Sequence, residues 1–580
     1  MAQAKNTYSI SFENSAHHEA VVKASFTDIK TGTVVARVSR TSPGRYALHE
    51  FAKNVYAVKV TNSKGEPLTA TRPDPYSWEI TGHDGTVNIE YILFANRGDG
   101  TYSQIDDTHA HLNMPATFMF VEGLNHRPIE VTFEARKDLN WKVATQLKQE
   151  SNNTYSAPDL QYFMDSPTEI ADFKMKEFTL DGQTIQFVLH DDSATPELFD
   201  KYFKNVEAIV KQEKAVFGEL PKYDYGKYTF LACYMPNASG DGMEHRNSTI
   251  LTDTEGLANG GYDNNIGTVS HEYFHSWNVE RIRPDDLEPF DFTGANMAGE
   301  LWFAEGFTSY YTTLILERAD IYTPEQYVKS LNGTFNYVWN SPAHEYFNPI
   351  EMSYQAPFVD AATSVDPVNR GNTFISYYSY GSILGLALDL SLRAEEGEHS
   401  LDDFMKMMWK KYGKPEVAYD YTDIEETLGE YAGEAFAKNF FAQYIYESKM
   451  PDYATLFETV GLKMEQDKEK AFFGASLSTT ESGLEISRTT TKGSPAYEAG
   501  LDAGDVLLSV DGEKLTSTDV FTTLIKNHKV GDTVKVNFTR FGKTMATEVT
   551  LSFDPTYTIS IDDSSSKKAV KAREIWLKAK

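Results

Sequence analysis

The sequence predicts a multidomain chain of the α+β class. Short alternating runs fill residues 1 to about 170, helical apolar periodicity dominates residues 298 to about 455, and short strands return from about 465. At 580 residues the chain is too long for one hydrophobic core, so several domains are expected.

The first region, 1–170, alternates apolar and polar residues, as in Tyr8-Ser9-Ile10-Ser11-Phe12 and Val87-Asn88-Ile89-Glu90-Tyr91. Turn residues such as Asn96-Arg97-Gly98-Asp99-Gly100 separate the runs, which predicts a β-sandwich-like domain. Asp165-Ser166-Pro167 reads as its boundary. The second region, 171–297, is mixed. It reads as a strand near Gln186 to His190, a helix near Pro196 to Phe217 and a strand near Tyr228 to Tyr234. A glycine-rich loop, Gly256 to Gly267, follows, and it lacks the lysine pattern of a phosphate cradle. Region 298–460 is mainly helical, most clearly at Ala298 to Arg318 and Ser382 to Arg393. Residues 461–560 form a small β-rich unit, and 561–580 read as a C-terminal tail.

Composition narrows the function classes. A hydrophobic content of 41% suits packed domains. No run approaches the ~18 apolar residues of a membrane span. A net charge of -30 argues against nucleic acid or anionic lipid as partner. The same charge could attract a cationic group such as a peptide amine. The single cysteine, Cys233, excludes an internal disulfide and a cysteine-only zinc site, and its apolar neighbours predict a buried strand residue. The opening residues, MAQAKNTYSI, hold no apolar leader core. This leaves a cytoplasmic chain, or one whose leader was removed.

The densest chemistry lies in His271-Glu272-Tyr273-Phe274-His275. On a helix, residues four apart share a face, so the two imidazoles can hold one side of a zinc ion with Glu272 beside it as general base. A third ligand is needed. The spacing common among metallopeptidases lands on Gly294, flanked by Thr293 and Ala295, and none of these binds zinc. Asp291, Glu300 and Glu305 are the nearby carboxylates. Glu305 lies in an apolar helix stretch beside Trp302 and Phe303, where an unpaired carboxylate is costly.

Several motifs resemble known families. Leu301-Trp302-Phe303-Ala304-Glu305-Gly306 resembles the ligand helix of aminopeptidase N-type enzymes, which selects Glu305 and leaves 29 residues between it and His275. Gly242-Met243-Glu244-His245 resembles the exopeptidase motif of the same enzymes, with His245 in place of the usual Asn. That resemblance implies that Gly242, Met243 and Glu244 line the substrate site and that Glu244 binds the free amine. Tyr377-Tyr378-Ser379-Tyr380-Gly381 precedes an apolar helix and resembles the motif that carries the transition-state tyrosine. The alignment puts that role on Tyr378. Tyr380 stands where the family has Lys, and Tyr377 stays an alternative. Residues 465 to 555, with Gly493-Ser494-Pro495-Ala496 and Gly504-Asp505-Val506-Leu507-Leu508, resemble a PDZ domain of the bacterial protease-associated type. Phe472-Phe473-Gly474-Ala475 is its carboxylate-loop candidate.

Together with His275-Ser276-Trp277-Asn278-Val279-Glu280-Arg281-Ile282-Arg283-Pro284, these motifs resemble the PDZ-carrying glycyl aminopeptidase family of bacterial zinc metallopeptidases. The resemblance implies a thermolysin-like zincin catalytic domain with a helical subdomain, preceded by the β-domain and followed by the PDZ domain. It implies one catalytic zinc on His271, His275 and Glu305, with Glu272 and Tyr378 catalytic. The expected substrates are peptides with a free N-terminus, losing Gly and also Ala. Peptide C-termini are expected partners of the PDZ domain. A periplasmic or secreted location follows from the resemblance alone. Arg281 and Arg283 are expected to brace acidic neighbours. Two other readings share some of these features: a PDZ-assisted zinc endopeptidase, and a non-catalytic PDZ peptide-binding scaffold.

Overall fold

A five-stranded sheet at the centre of the molecule places the site. Its order is Lys174–Leu180, Gln183–His190, Lys227–Tyr234, Ser248–Asp253 and Asp241–His245. The three inner strands run parallel and are buried almost throughout, which explains their continuous apolar runs. Asp241–His245 closes one edge antiparallel to Ser248–Asp253. The computed structural model describes residues 4–359, 368–395, 399–481 and 483–580.

The helix Pro196–Phe217 covers one face of this sheet. Thr195 caps it, accepting a hydrogen bond from Leu198 N at 3.2 Å, and Gly218 ends it in the left-handed region at φ 88°. Its apolar face joins a large core that also takes in Ile266–Phe274, Leu301–Arg318 and Tyr377–Ala394.

The N-terminal region is built around strands, as its alternation predicts, with only short helical turns such as Met114–Thr117 and Leu160–Met164 between them. Among the described residues a seven-stranded sheet packs with a four-stranded one around a separate core. A further four-stranded sheet, Lys142–Thr145, Thr168–Ala171, His109–Leu112 and Gln104–Ile105, lies next to the central sheet, where Ala144 and Ala171 pack on Val188 and Leu231.

The helix holding Glu305 and the one opening at Tyr377 meet at two glycines. A Cβ built on Gly306 would stand 2.3 Å from Gly381 Cα, and one on Gly381 would stand 1.8 Å from the Trp302 carbonyl oxygen. Only glycine permits that approach. The apolar helix begins earlier than Ser382, so Tyr377 and Tyr378 form its first turn instead of preceding it.

Strands Leu462–Gln466 and Tyr557–Ile561 pair at the neck of the C-terminal β-rich unit. The unit carries its own core and touches the helical region, where Asn372 Nδ2 donates to Thr490 O at 3.0 Å and Lys492 N donates to Asn372 Oδ1 at 2.8 Å. Residues 561–580, read from sequence as a tail, contain the helix Lys567–Leu577. It is docked: Trp576 is buried and its indole N–H donates to the Tyr310 hydroxyl at 2.9 Å. The lone Trp in a polar stretch is the signal for that docking.

Candidate active site

The pentapeptide His271 to His275 closes the helix Ile266–Phe274, with His275 as its still-helical C-cap. Both rings therefore face the same side, toward the first turns of Leu301–Arg318. One atom each of His271, His275 and Glu305 falls within 4.8 Å of the other two. Glu305 Oε2 lies 3.2 Å from His275 Nε2 and 3.5 Å from His271 Nε2.

Each of these groups is held from behind. The His275 Nδ1–H donates to Asn278 O at 2.7 Å, which directs Nε2 toward Glu305. Asn278 is itself fixed by donating to Ala304 O at 2.9 Å. His271 Nδ1 faces Thr312 Oγ1 at 3.1 Å, and that hydroxyl gives its own proton to Thr308 O at 2.9 Å, so His271 must be the donor. The Tyr46 hydroxyl donates to Glu305 Oε1 at 2.6 Å. Glu305 Oε2 is buried and has no hydrogen-bond donor of its own.

The electrostatics call for a cation. Burial opposes charge on His275, yet Glu305, Glu244 and Glu272 outweigh it and push the imidazole up to about 10. Burial raises Glu272 well above the carboxylate range; His275 opposes this, and Glu244 and Glu305 add to it. Two imidazole nitrogens, one orphaned carboxylate oxygen and an excess of nearby negative charge fit a zinc ion with a position left open.

The open side is a cleft of about 390 Å³. Its walls include Gly242, Glu244, Glu272, Tyr377 and Tyr378 from the catalytic region, and Gly44, Arg45 and Tyr46 from the N-terminal domain. Glu244 is buried on the edge strand, and oxygens of Glu244 and Glu272 lie within 4.8 Å of His275 and of each other. A Cβ on Gly242 would stand 2.1 Å from Glu272 Oε1 and 2.7 Å from Thr268 Cγ2, so glycine leaves that space to the Glu272 carboxylate. Met243 packs beneath Gly44 and Gly100, tying the strand to the N-terminal domain.

Comparison with known proteins follows this geometry. The family model for the peptidase M61 N-terminal domain matches residues 7–172, that for M61 glycyl aminopeptidase matches 264–384, and a PDZ model matches 471–551. The chain belongs to the M61 glycyl aminopeptidase family. It is a zinc metallopeptidase of the aminopeptidase type, and its fold is also that of a solved structure. An aminopeptidase N family protein from Idiomarina loihiensis superposes with TM-score 0.87 at 23% identity, covering 99% of this chain and 100% of that one. An M1 zinc metallopeptidase from Deinococcus radiodurans aligns at TM-score 0.46 and 13% identity, over 78% of this chain and 96% of that one. A serine protease Do-like HtrA of Bacillus subtilis is 36% identical over 87 residues, 15% of this chain and 18% of the relative's length.

In this M61 peptidase several residues behave otherwise than their sequence context predicts. Arg281 does not brace acids: it donates to the carbonyls of Arg246 and Ser276 at 3.0 and 2.9 Å and to Asn247 Oδ1 at 2.9 Å. Arg283 does pair with acidic neighbours, Glu280 at 4.0 Å and Glu288 at 3.8 Å, and also donates to the carbonyls of Val279 and Leu287. His245 pairs with Asp165 at 2.8 Å, so the boundary residue is also a brace of the substrate strand. Tyr380 turns away from the cleft to meet His344 at 3.2 Å. Tyr377 and Tyr378 both reach the cleft, the ring of Tyr378 lying 5.9 Å from that of His271.

Sequence reasoning missed Gly44, Arg45, Tyr46 and Asp241. Arg45 pairs with Asp241, and Asp241 also accepts from Gly100 N at 2.9 Å. Gly44 has φ 77°, and a Cβ there would stand 2.9 Å from Glu244 Oε2. The only signal in the sequence was Gly44-Arg45-Tyr46 following Pro43, a turn with no chemistry of its own.

Proposed function

We propose that the enzyme removes amino-terminal Gly, and also Ala, from peptides with a free N-terminus. The observation that carries this reading is Glu244. Its carboxylate is buried within 4.8 Å of Glu272 and His275, and Gly44 closes over it. A buried carboxylate in that place suits an ammonium partner, and an ammonium held there leaves room for only one residue before the scissile bond. Tyr46 and Tyr377, edge to face at 6.1 Å, wall the same end of the cleft and favour a small first side chain.

Zinc, when bound by His271, His275 and Glu305, acidifies water and polarises the scissile carbonyl. Glu272 takes the proton of the attacking water and passes it to the leaving amine; its raised pKa suits both roles. The Tyr378 hydroxyl donates to the oxyanion as it develops. The Thr312 and Asn278 hydrogen bonds keep both imidazoles in the ligating tautomer.

The PDZ domain would take an extended peptide end. Strand Leu477–Thr480 lies at the end of its sheet order, with Phe472-Phe473-Gly474-Ala475 leading into it and helix Thr518–Lys526 alongside.

Release of the first residue from a series of peptides X-Ala-Ala, with X as Gly, Ala, Leu or Phe, tests the assignment. Chelator-sensitive release falling from Gly through Ala to the large residues supports it. Equal release across the series contradicts the small first pocket. Glu272→Gln is expected to keep its zinc while kcat falls ~10²–10⁴-fold.

A further inference from the structure

A second donor cluster lies where the N-terminal domain meets the central sheet. In the N-terminal domain, strands His109–Leu112 and Thr168–Ala171 pair antiparallel, which puts His109 and His111 on the same face as Glu169. In the central sheet, His190 and Cys233 are direct register partners on neighbouring parallel strands. The two sheets turn the side chains of His109, Glu169, His190 and Cys233 toward one point.

The separations are those of a coordination shell. His109 Nδ1 lies 3.2 Å from His190 Nδ1, 3.1 Å from Glu169 Oε1 and 3.5 Å from Cys233 Sγ. His190 Nδ1 lies 3.5 Å from Glu169 Oε1 and 3.9 Å from Cys233 Sγ. Zinc with ordinary bond lengths gives tetrahedral edges of ~3.3 Å between nitrogens and ~3.6 Å between nitrogen and sulfur.

The surroundings present lone pairs to that point. The His109 Nε2–H donates to Gln104 Oε1 at 3.2 Å, and the Gln104 amide nitrogen donates to Asn237 O at 3.0 Å, so its orientation is fixed. With Nε2 anchored on Gln104, His109 Nδ1 is turned into the cluster, where it faces the second imidazole nitrogen and the Glu169 carboxylate. His111 holds Glu169 Oε2 at 2.9 Å and Asp99 O at 3.0 Å, which directs Oε1 of Glu169 into the cluster. His109 and Glu169 are 0% exposed, Cys233 1% and His190 7%, and none of them lines the catalytic cleft.

We propose that His109, Glu169, His190 and Cys233 bind a second zinc ion, which fastens the N-terminal domain to the catalytic sheet. Four protein ligands without an open position make it a structural ion. Zinc would bind with loss of the Cys233 thiol proton to solvent, so its two charges are met by one thiolate and one carboxylate.

Zinc content of the full chain, equilibrated with zinc and freed of excess, is the first readout. Two ions per chain are expected, falling to one in Cys233→Ser and to a different one in His271→Ala. Cys233→Ser is expected to melt at a lower temperature and to keep its peptidase kcat/KM at a temperature well below melting. Cobalt substitution of the unmutated chain needs no variant to fold. A thiolate-to-cobalt charge-transfer band in the near ultraviolet can come only from Cys233, the single cysteine. One zinc per chain, removed by His271→Ala, with no thiolate band under excess cobalt, would overturn the proposal and leave the cluster a hydrogen-bond network.

Discussion

Gly306 and Gly381 bring two helices into backbone contact, the Cβ position of one lying 2.3 Å from the Cα of the other. The contact sets Glu305 and the first turn at Tyr377-Tyr378 in the wall of one cleft. The proposed metal ligand and the proposed oxyanion donor are thus positioned by the same close packing. Gly381→Ala is expected to cost about 1–3 kcal/mol of stability by overpacking. It is also expected to lower kcat more than zinc content. Urea midpoints and metal analysis read the two effects separately.

Tyr46 donates to Glu305 Oε1 from a domain remote in sequence. Tyr46→Phe leaves that oxygen without its donor, and loss of such a partner typically weakens metal binding ~10–100-fold. Competition with a chelator of known affinity measures the change. An unaltered zinc affinity would show that this hydrogen bond does not tune the ligand.

Tyr378→Phe is expected to lower kcat ~10²-fold or more with KM little changed, as for loss of one oxyanion donor. Tyr377→Phe is the control, since Tyr377 packs against Tyr46 and is almost wholly buried. The reverse order of effects would transfer the role to Tyr377.

Burial raises Glu300 to about 7, and the Asp286 and Asp285 charges add to it, while backbone hydrogen bonds, one of them from Tyr421 N, oppose the rise. The folded chain then holds a proton there that the unfolded chain has already lost. Stability from this group is present below the unfolded carboxylate pKa and is lost as pH rises through about 7. Glu300→Gln, which keeps an acceptor for Tyr421 N, should flatten that part of the stability profile and stabilise the protein at pH values above 7. Denaturant midpoints across the range test this. An unchanged slope would count against it.

Much of the site is legible in the sequence because its chemistry is local. His271, Glu272 and His275 lie within one and a half helical turns, and Glu305-Gly306 is a compact motif whose glycine has a steric reason. The helix Pro196–Phe217 is equally legible, since Thr195 and Gly218 mark both of its ends. What escapes is assembled across the chain. Tyr46 approaches Glu305 from 259 positions away, and Asp165 reaches His245 across 80. No periodicity encodes such pairs. The cluster of His109, Glu169, His190 and Cys233 is scattered over four strands, and strand register alone brings it together. The choice between Tyr377 and Tyr378 is unreadable for a different reason: both lie in one helical turn, and orientation depends on the neighbouring helix.

In the proposed function, Glu244 makes the enzyme an exopeptidase by holding the substrate amine. The most direct measurement is kcat/KM on a matched pair of Gly-Ala peptides, one free at its amino terminus and one acetylated, for the unmutated chain and for Glu244→Ala. Cleavage of the free peptide alone is expected, abolished by chelator, with loss of most of that preference in the variant. Comparable cleavage of both peptides by the unmutated chain would contradict it and make the enzyme an endopeptidase.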